Sequence, residues 1–441
     1  MILTPKLLTL GLLSLAGASI AVQDTAEVWN QKQLEEATAG IQAQIETLRG
    51  QKFNSPVTVK VTGEKGLIAY AKERLEATES KASLHADEMT MKQLGLLAAD
   101  RNYLEETFAL LEGQVGGFYD PGSDTFYLMD RFTGGIARII LAHELTHALD
   151  DQLFDIDGVA ESIEQSTDSE LAFHAVVEGS GLGTMYAWMK AHPSEWNMND
   201  LVDMQSLTSG LDDAPAAVWK PLLASYWLGG AFLSKTDDWV AVQMSMKVPG
   251  VPEVAAAFKN PPRSTEQILH PEKYWDEATL DEPIAVKLKV STLLEGWKAV
   301  AEDTLGELFL ALVTTPAKER EGMDPNDPAA MLKIKFTNEA VTGWGGDRMV
   351  LLESDSGSIL HLVTVWDTLE DAVQFEGALN TVLLDIEEMK SKGLSGGGLN
   401  IERVDDLVLL TSYAGVGAEE LNKLVGAVSY SVARPALADD K

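Results

Sequence analysis

The sequence predicts an α+β fold, mainly helical as far as about residue 300 with one short β-hairpin set into it, and a C-terminal α+β module beyond. Three observations carry this expectation. Apolar residues recur at three- and four-residue spacing over long stretches of the first two-thirds. The segment Val115–Asp130 (VGGFYDPGSDTFYLMD) breaks that period, with two short aromatic or branched runs around an Asp120-Pro121-Gly122 turn. After residue 300, strand-like runs alternate with amphipathic ones. At 441 residues and 45% hydrophobic content the chain is long enough to bury a core and has the length of two or three domains.

Lys6 precedes an apolar run from Leu7 to Val22 that ends in the small-residue triplet Ser19-Ile20-Ala21. Residues 1–21 therefore read as a signal peptide cleaved after Ala21, and the product as exported, periplasmic or extracellular. The run is short for a membrane anchor, and no later segment is a convincing span. Residues 22–112 form a helical region. Leu34, Ile41, Ile45 and Leu48 mark one helix over 26–52, and Leu67, Ala71, Leu75, Leu94, Leu97, Leu104 and Leu111 mark helical pattern over 66–113. In residues 113–300 the hairpin is followed by helices over Ile136–Phe154, Ser169–Lys190, 216–234 and 264–275, with a Pro- and Gly-rich connector from Val248 to Arg263. In residues 301–441 a helix near Asp303–Thr314 leads to strands Met349–Glu353 and Ile359–Trp366. The helix Leu369–Lys390, a Gly396–Gly398 loop, the strand Val404–Ser412 and the helix Glu419–Val432 complete the chain.

Charge and composition exclude several function classes. Sixty-eight acidic residues against 34 basic ones give a net charge of −34. Such a surface repels nucleic acid and anionic lipid and favours cations. Cysteine is absent, so disulfides, thiol nucleophiles and thiolate metal sites are ruled out.

The chemistry-bearing motif is His143-Glu144-Leu145-Thr146-His147. On a helix, residues four apart share a face, so two imidazoles can coordinate one zinc ion without distorting the backbone. Glu144 is offset by about 100°, within reach of the attacking water without being a ligand. Its role is general base, with zinc lowering the water's pKa to around 7. The flanks Ile139–Ala142, Leu145, Ala148 and Leu149 make this an almost wholly buried helix, where two uncoordinated histidines would be costly. A catalytic site needs a third protein ligand and an open position. LAFHAVVEGSG offers His174 and Glu178, four apart; Glu178 is the expected ligand, because an ionised carboxylate in an apolar helix needs a cation, and His174 is expected to line the pocket. Gly179, Gly181 and Gly183 would let this helix press against the first.

HELTHALDDQ with a downstream Glu in VVEGSG resembles the gluzincin class of zinc metallopeptidases. More closely, the chain resembles a group of exported bacterial zincin-like proteins. Their segments GFYDP, HELTHALQDQ, EGDA, STEQILHPEKY and GWGGDR correspond here to Gly117–Pro121, His143–Gln152, Glu178–Gly181, Ser264–Tyr274 and Gly343–Arg348. The resemblance spans most of the chain after residue 21 and implies a zincin-like catalytic domain. It also implies His143, His147 and Glu178 as zinc ligands and Glu144 as the base. Two positions depart from the pattern: Ser180 stands where an acid is favoured, and Asp150 stands where the pattern has Gln. In gluzincins a downstream His or Tyr stabilises the oxyanion; His270 is first in line here and Tyr226 second. Asp151, one turn after His147, reads either as an acceptor from an imidazole N–H or as a solvated helix-end acid. Phe126–Met129 resembles the edge strand along which zincins align an extended peptide.

Three functions follow as expectations. The first is an exported zinc metallopeptidase acting on a peptide or protein substrate. The second is a non-catalytic binding protein with a structural zinc closed by four protein ligands, His174 included. The third is a zinc hydrolase of a non-peptide amide or ester, with a deep, narrow pocket in place of a groove. Asp155-Ile156-Asp157-Gly158 and Asp324-Pro325-Asn326-Asp327 are weak hints of calcium loops, and Gly345–Arg348 reads as a tight turn with an ion pair.

Overall fold

The structure, a computed structural model, describes residues 29–120, 123–200, 214–320 and 328–434. The expected signal peptide, the hairpin tip at Pro121-Gly122 and the Asp324–Asp327 stretch lie outside the described residues.

Helix α1 (Gln31–Arg49) starts at a capping box, in which Asn30 and Gln33 each accept from the other's backbone N–H, and stops at Gly50 with φ 62°. Its stripe of Leu34, Ile41 and Ile45 is buried. Strand β1 (Thr58–Thr62) follows, then α2 (Glu64–Thr78), α3 (Lys81–Gln93) and α4 (Tyr103–Gln114). The helical pattern read over 66–113 is thus three helices; Ser80 caps the second by accepting from the Ser83 N–H. Strands β2 (Gly117–Asp120) and β3 (Thr125–Met129) form the hairpin.

These strands order as β1-β3-β2, with β1 parallel to β3 and Val59 opposite Phe126, while β2 runs antiparallel. Phe126–Met129, expected at a sheet edge, is therefore the central strand. Its buried Phe126, Leu128 and Met129 are covered best with a neighbour on each side. β1 provides the second neighbour, so the edges lie at β1 and β2 instead.

Next come α5 (Gly134–Phe154), α6 (Ile156–Ser162), α7 (Thr167–Ala191) and α8 (Ala216–Leu233), followed by α9 (Trp239–Ser245), α10 (Val251–Lys259), α11 (Thr265–Leu269) and α12 (Glu272–Trp275). The Pro- and Gly-rich connector is not wholly irregular. Pro252 sits in the first turn of α10, where a missing N–H costs no hydrogen bond.

The remaining elements are β4 (Ala285–Val290), β5 (Lys298–Asp303), α13 (Gly306–Thr314), α14 (Ala317–Arg320), α15 (Pro328–Met331), β6 (Trp344–Glu353) and β7 (Ser358–Trp366). They continue with α16 (Leu369–Ser391), β8 (Gly398–Val404), β9 (Leu407–Ala414), α17 (Ala418–Val425) and β10 (Val428–Ala433). A five-stranded sheet runs β5-β6-β7-β9-β8, and β4 pairs with β10. The stretch read as one strand over Val404–Ser412 spans the turn of the β8–β9 hairpin. The final expected helix ends at Val425 and the chain continues as β10, which pairs with β4 from 140 residues earlier.

The α+β class holds for the chain as a whole. A continuous apolar core runs from Leu34 through Leu141, Trp227 and Phe309 to Leu410. Packing does not break at residue 112: Gln93 at the end of α3 donates to Ser358 Oγ at 2.6 Å and accepts from Ser412 Oγ at 2.6 Å, both on the C-terminal sheet. Among the described residues no helix is long and apolar enough to cross a membrane.

Candidate metal centre

Helix α5 is buried along nearly its whole length, so its polar residues need partners within the protein. The partners come from α7, packed beside it. His143 Nε2 lies 3.1 Å from Glu178 Oε2, His147 Nε2 lies 3.4 Å from the same oxygen, and the two imidazole nitrogens are 2.9 Å apart. One ligand atom from each of His143, His147 and Glu178 falls within 4.8 Å of the others. The three side chains are between 0% and 7% exposed.

The donor set fits a zinc-type cation. Tetrahedral bonds of about 2.0–2.1 Å place ligand atoms about 3.3 Å apart, close to the separations observed. Both rings are turned with Nε2 toward the convergence point, and the backbone of Gly181 hydrogen-bonds His143. Burial opposes charge on all three groups, and their neighbours decide the outcome. Burial, then His147, lowers the pKa of His143. Burial also opposes protonation of His147, but the Glu178 carboxylate outweighs it and raises that pKa to about 9. Against its own burial, Glu178 is held far below the ordinary carboxylate range by the imidazoles, His147 foremost.

Glu144 is fully buried, and neither of its oxygens has a side-chain partner. Burial pushes its pKa up to about 8, with His147 and the Tyr119 backbone amide of β2 acting in the opposite direction.

The surrounding groups divide into those brought to the trio and those placed elsewhere. His174 Nε2 is 3.3 Å from Glu178 Oε1, the oxygen that faces away from the histidine pair; it sits behind the carboxylate and outside the ligand trio. The Tyr226 ring stacks on that of His143, with centroids 5.6 Å apart and planes at 21°. His270 is not brought to the trio. It caps the C-terminus of α11, its Nε2 lies 3.1 Å from Glu307 Oε1, and none of its contacts reaches His143, His147 or Glu178. The reason is topological: α11 docks at the start of α7 through Thr265 and Asp168, about 15 Å along the helix from Glu178. Asp151 likewise faces away from the imidazoles, accepting from the Tyr119 hydroxyl at 3.1 Å and the Ile156 N–H at 3.1 Å.

Of the three glycines after Glu178, only Gly181 faces α5. A Cβ there would lie 2.7 Å from His143 Cε1 and 2.8 Å from His147 Cε1. Gly179 faces Gly229 on α8 and Gly183 faces Pro249, because residues two apart on a helix point about 200° from each other.

A hydrogen-bonded group lies beside the trio, and two of its members, Arg49 and Thr184, were missed in the sequence. Arg49 Nη2 donates to Asp150 Oδ1 at 2.6 Å, and Arg49 Nη1 donates to Ser180 and Thr184, each at 3.1 Å. Ser180 Oγ also donates to Asp150 Oδ2. The two departures from the resembled pattern therefore touch each other. The only advance signal was a basic residue in the last turn of α1.

Among the described residues, one other group could gather around a cation: Glu266, Asp281 and Asp367. Lys273 already holds its centre, with Nζ 2.6, 2.9 and 3.5 Å from these acids. Asp155, at φ 58°, joins α5 to α6 and accepts from the Gly158 N–H, a cap and not a calcium ligand set. Gly345–Arg348 lies within β6 at an irregularity in strand register, not in a tight turn. Asp347 there caps α13 by accepting from Leu305 and Gly306, and Arg348 pairs with Glu302. A cavity of about 610 Å³ opens beside this strand, with Asp168, Arg263 and Arg348 on its wall; the trio does not line it.

No curated protein and no solved structure matches the chain. Residues 292–411 match the model of a family described as a domain of unknown function, DUF8575; the match runs from before β5 into β9 of the five-stranded sheet, and the histidine trio lies outside it.

Proposed function

We propose that the protein is a zinc-dependent hydrolase of gluzincin type, a metallopeptidase with a zincin-like arrangement of α5 and α7, acting after export. The observation that carries this reading is the buried convergence of His143, His147 and Glu178 beside a Glu144 carboxyl that no other side chain engages. His143, His147 and Glu178 Oε2 would hold the ion, and His174 orients Glu178 through its other oxygen. Bound zinc supplies Lewis acidity to the substrate carbonyl and lowers the pKa of water. Next to a divalent cation the ionised form of Glu144 is favoured, so the carboxylate takes a proton from the attacking water and returns it to the leaving amine. Tyr226, whose ring stacks on that of His143, is the proposed donor to the oxyanion. Strand β2, with its Tyr119 amide toward Glu144 and its outer edge unpaired among the described residues, fits an added peptide strand.

A closed structural site would need His174 as a fourth ligand, and the group of converging ligand atoms holds only His143, His147 and Glu178. The near-complete burial of the trio favours a second reading, hydrolysis of a small amide or ester reached through a narrow opening.

Metal analysis of the purified chain should give about one zinc per molecule. Glu144→Gln should keep the metal and lower turnover by roughly 10²–10⁴-fold or more, whereas His143→Ala should lose the metal. A Glu144→Gln protein with undiminished turnover would remove the proposed mechanism. Comparing unstructured peptides with small acyl amides and esters as substrates separates the two readings.

A further inference from the structure

Two helices that share a metal must be held at a fixed distance and rotation, and apolar packing alone sets both only loosely. The supporting contact here comes from neither ligand helix. Arg49 ends α1, and its guanidinium fork reaches α5 at Asp150 and α7 at Ser180 and Thr184. Asp150 lies one turn beyond His147, and Ser180 lies two residues beyond Glu178. Ser180 closes the ring by donating to Asp150. Arg49 is 7% exposed and Asp150 fully buried, so each is the other's charge partner away from water. No ligand atom takes part in this ring, which leaves the trio free to hold an ion.

We infer that Arg49 is a positioning residue of the metal centre, tying the two ligand-bearing helices together through Asp150, Ser180 and Thr184, and that α1 is an integral part of the site. The inference rests on the metal reading above. Its chemical content is the fork: one guanidinium serves a carboxylate and two hydroxyls at fixed angles, which a lysine ammonium on a flexible stem does not reproduce. Because the partners lie 101 and 131 residues away in sequence, a chain separated from α1 would leave Asp150 as a buried anion without its cation. The helix therefore works as a brace for the centre, not as a detachable cover.

The test uses the full chain and cobalt(II) as the probe, whose visible absorption reports ligand geometry. Affinity is read by chelator competition and the fold by thermal unfolding of the metal-free protein. Arg49→Met and Ser180→Ala should each bind cobalt roughly 10–100-fold more weakly than the wild type and change the shape of its absorption band. Arg49→Lys should fall between Arg49→Met and the wild type. Ser180→Ala removes only one hydroxyl and keeps the test decisive should Arg49→Met fail to fold. If Ser180→Ala and every folded Arg49 variant bind cobalt with wild-type affinity and spectrum while His143→Ala releases it, the positioning role is overturned and the metal centre stands. If the wild type binds cobalt no better than His143→Ala, the metal reading fails, and this inference with it.

Discussion

Gly181 is the residue at which the smallest change in side chain reaches the metal centre. A methyl group there would meet both imidazoles at under 3 Å, and such overpacking costs about 1–3 kcal/mol. The backbone of α7 is pinned on its other face by α8, so the rings are the part free to move. On the proposed zinc reading, Gly181→Ala should therefore weaken metal binding by roughly 10–100-fold while the metal-free protein keeps near-normal thermal stability. Zinc titration with wild-type affinity would show that the rings have more room than the structure allows. The histidine pair was legible because both residues lie on one helix at a spacing that geometry ties to a shared face. Glu178 was legible as an acid in an apolar stretch. Arg49 was not, since an arginine closing a solvated helix looks the same whether it meets water or a buried carboxylate a hundred residues on. Asp151 misled for a related reason: it follows His147 by four, but a hydroxyl on β2 and a cap on α6 claim its oxygens.

At the level of elements, the site depends on how closely α7 and α8 cross. Gly179 and Gly229 face each other, and a Cβ on Gly229 would lie 2.0 Å from the Ala175 carbonyl oxygen. Contact with backbone is less forgiving than contact with a side-chain tip. Gly229→Ala should therefore lower unfolding stability by about 1–3 kcal/mol or more; a denaturation midpoint equal to wild type would contradict so close a crossing. The helices were read correctly where a long apolar period runs through α5, α7, α8 and α16. Strands fared worse. TVKVT of β1 carries a visible alternation but is too short to stand out, and β4 and β10 are half-exposed ribbons. The edge position moved from β3 to its neighbours β1 and β2 because a strand's neighbours are chosen by the rest of the sheet and not by its own residues.

Across the whole molecule, the helical part and the C-terminal sheet meet at a buried acidic junction. Asp168, at the start of α7, accepts from the Thr265 N–H and hydroxyl. Asp303 accepts from Thr167, and Asp347 caps α13. Burial raises the Asp168 pKa from 3.8 to about 8, even though the Thr265 hydrogen bonds act the other way. The folded protein thus keeps a proton that the unfolded chain releases. This contribution to stability is complete below about pH 4 and is lost as pH climbs toward 8, with a slope of up to about 1.4 kcal/mol per unit. Asp168→Asn should mimic the protonated form, leave stability near pH 5 little altered and flatten the decline between pH 5 and 8. Parallel stability–pH curves for the two proteins would rule this out. The same topology explains His270: its segment was identifiable by resemblance, but α11 serves the junction and carries the histidine to Glu307.

The mostly helical character, the histidine pair, the acid that joins it and the acidic surface could be read in advance, because each depends on composition or on residues within a turn or two of each other. The arginine brace, the outer strand of the small sheet and the destination of His270 could not. They depend on which distant surfaces bury each other, and that choice is made by summed packing over the whole core and not by any one segment's sequence.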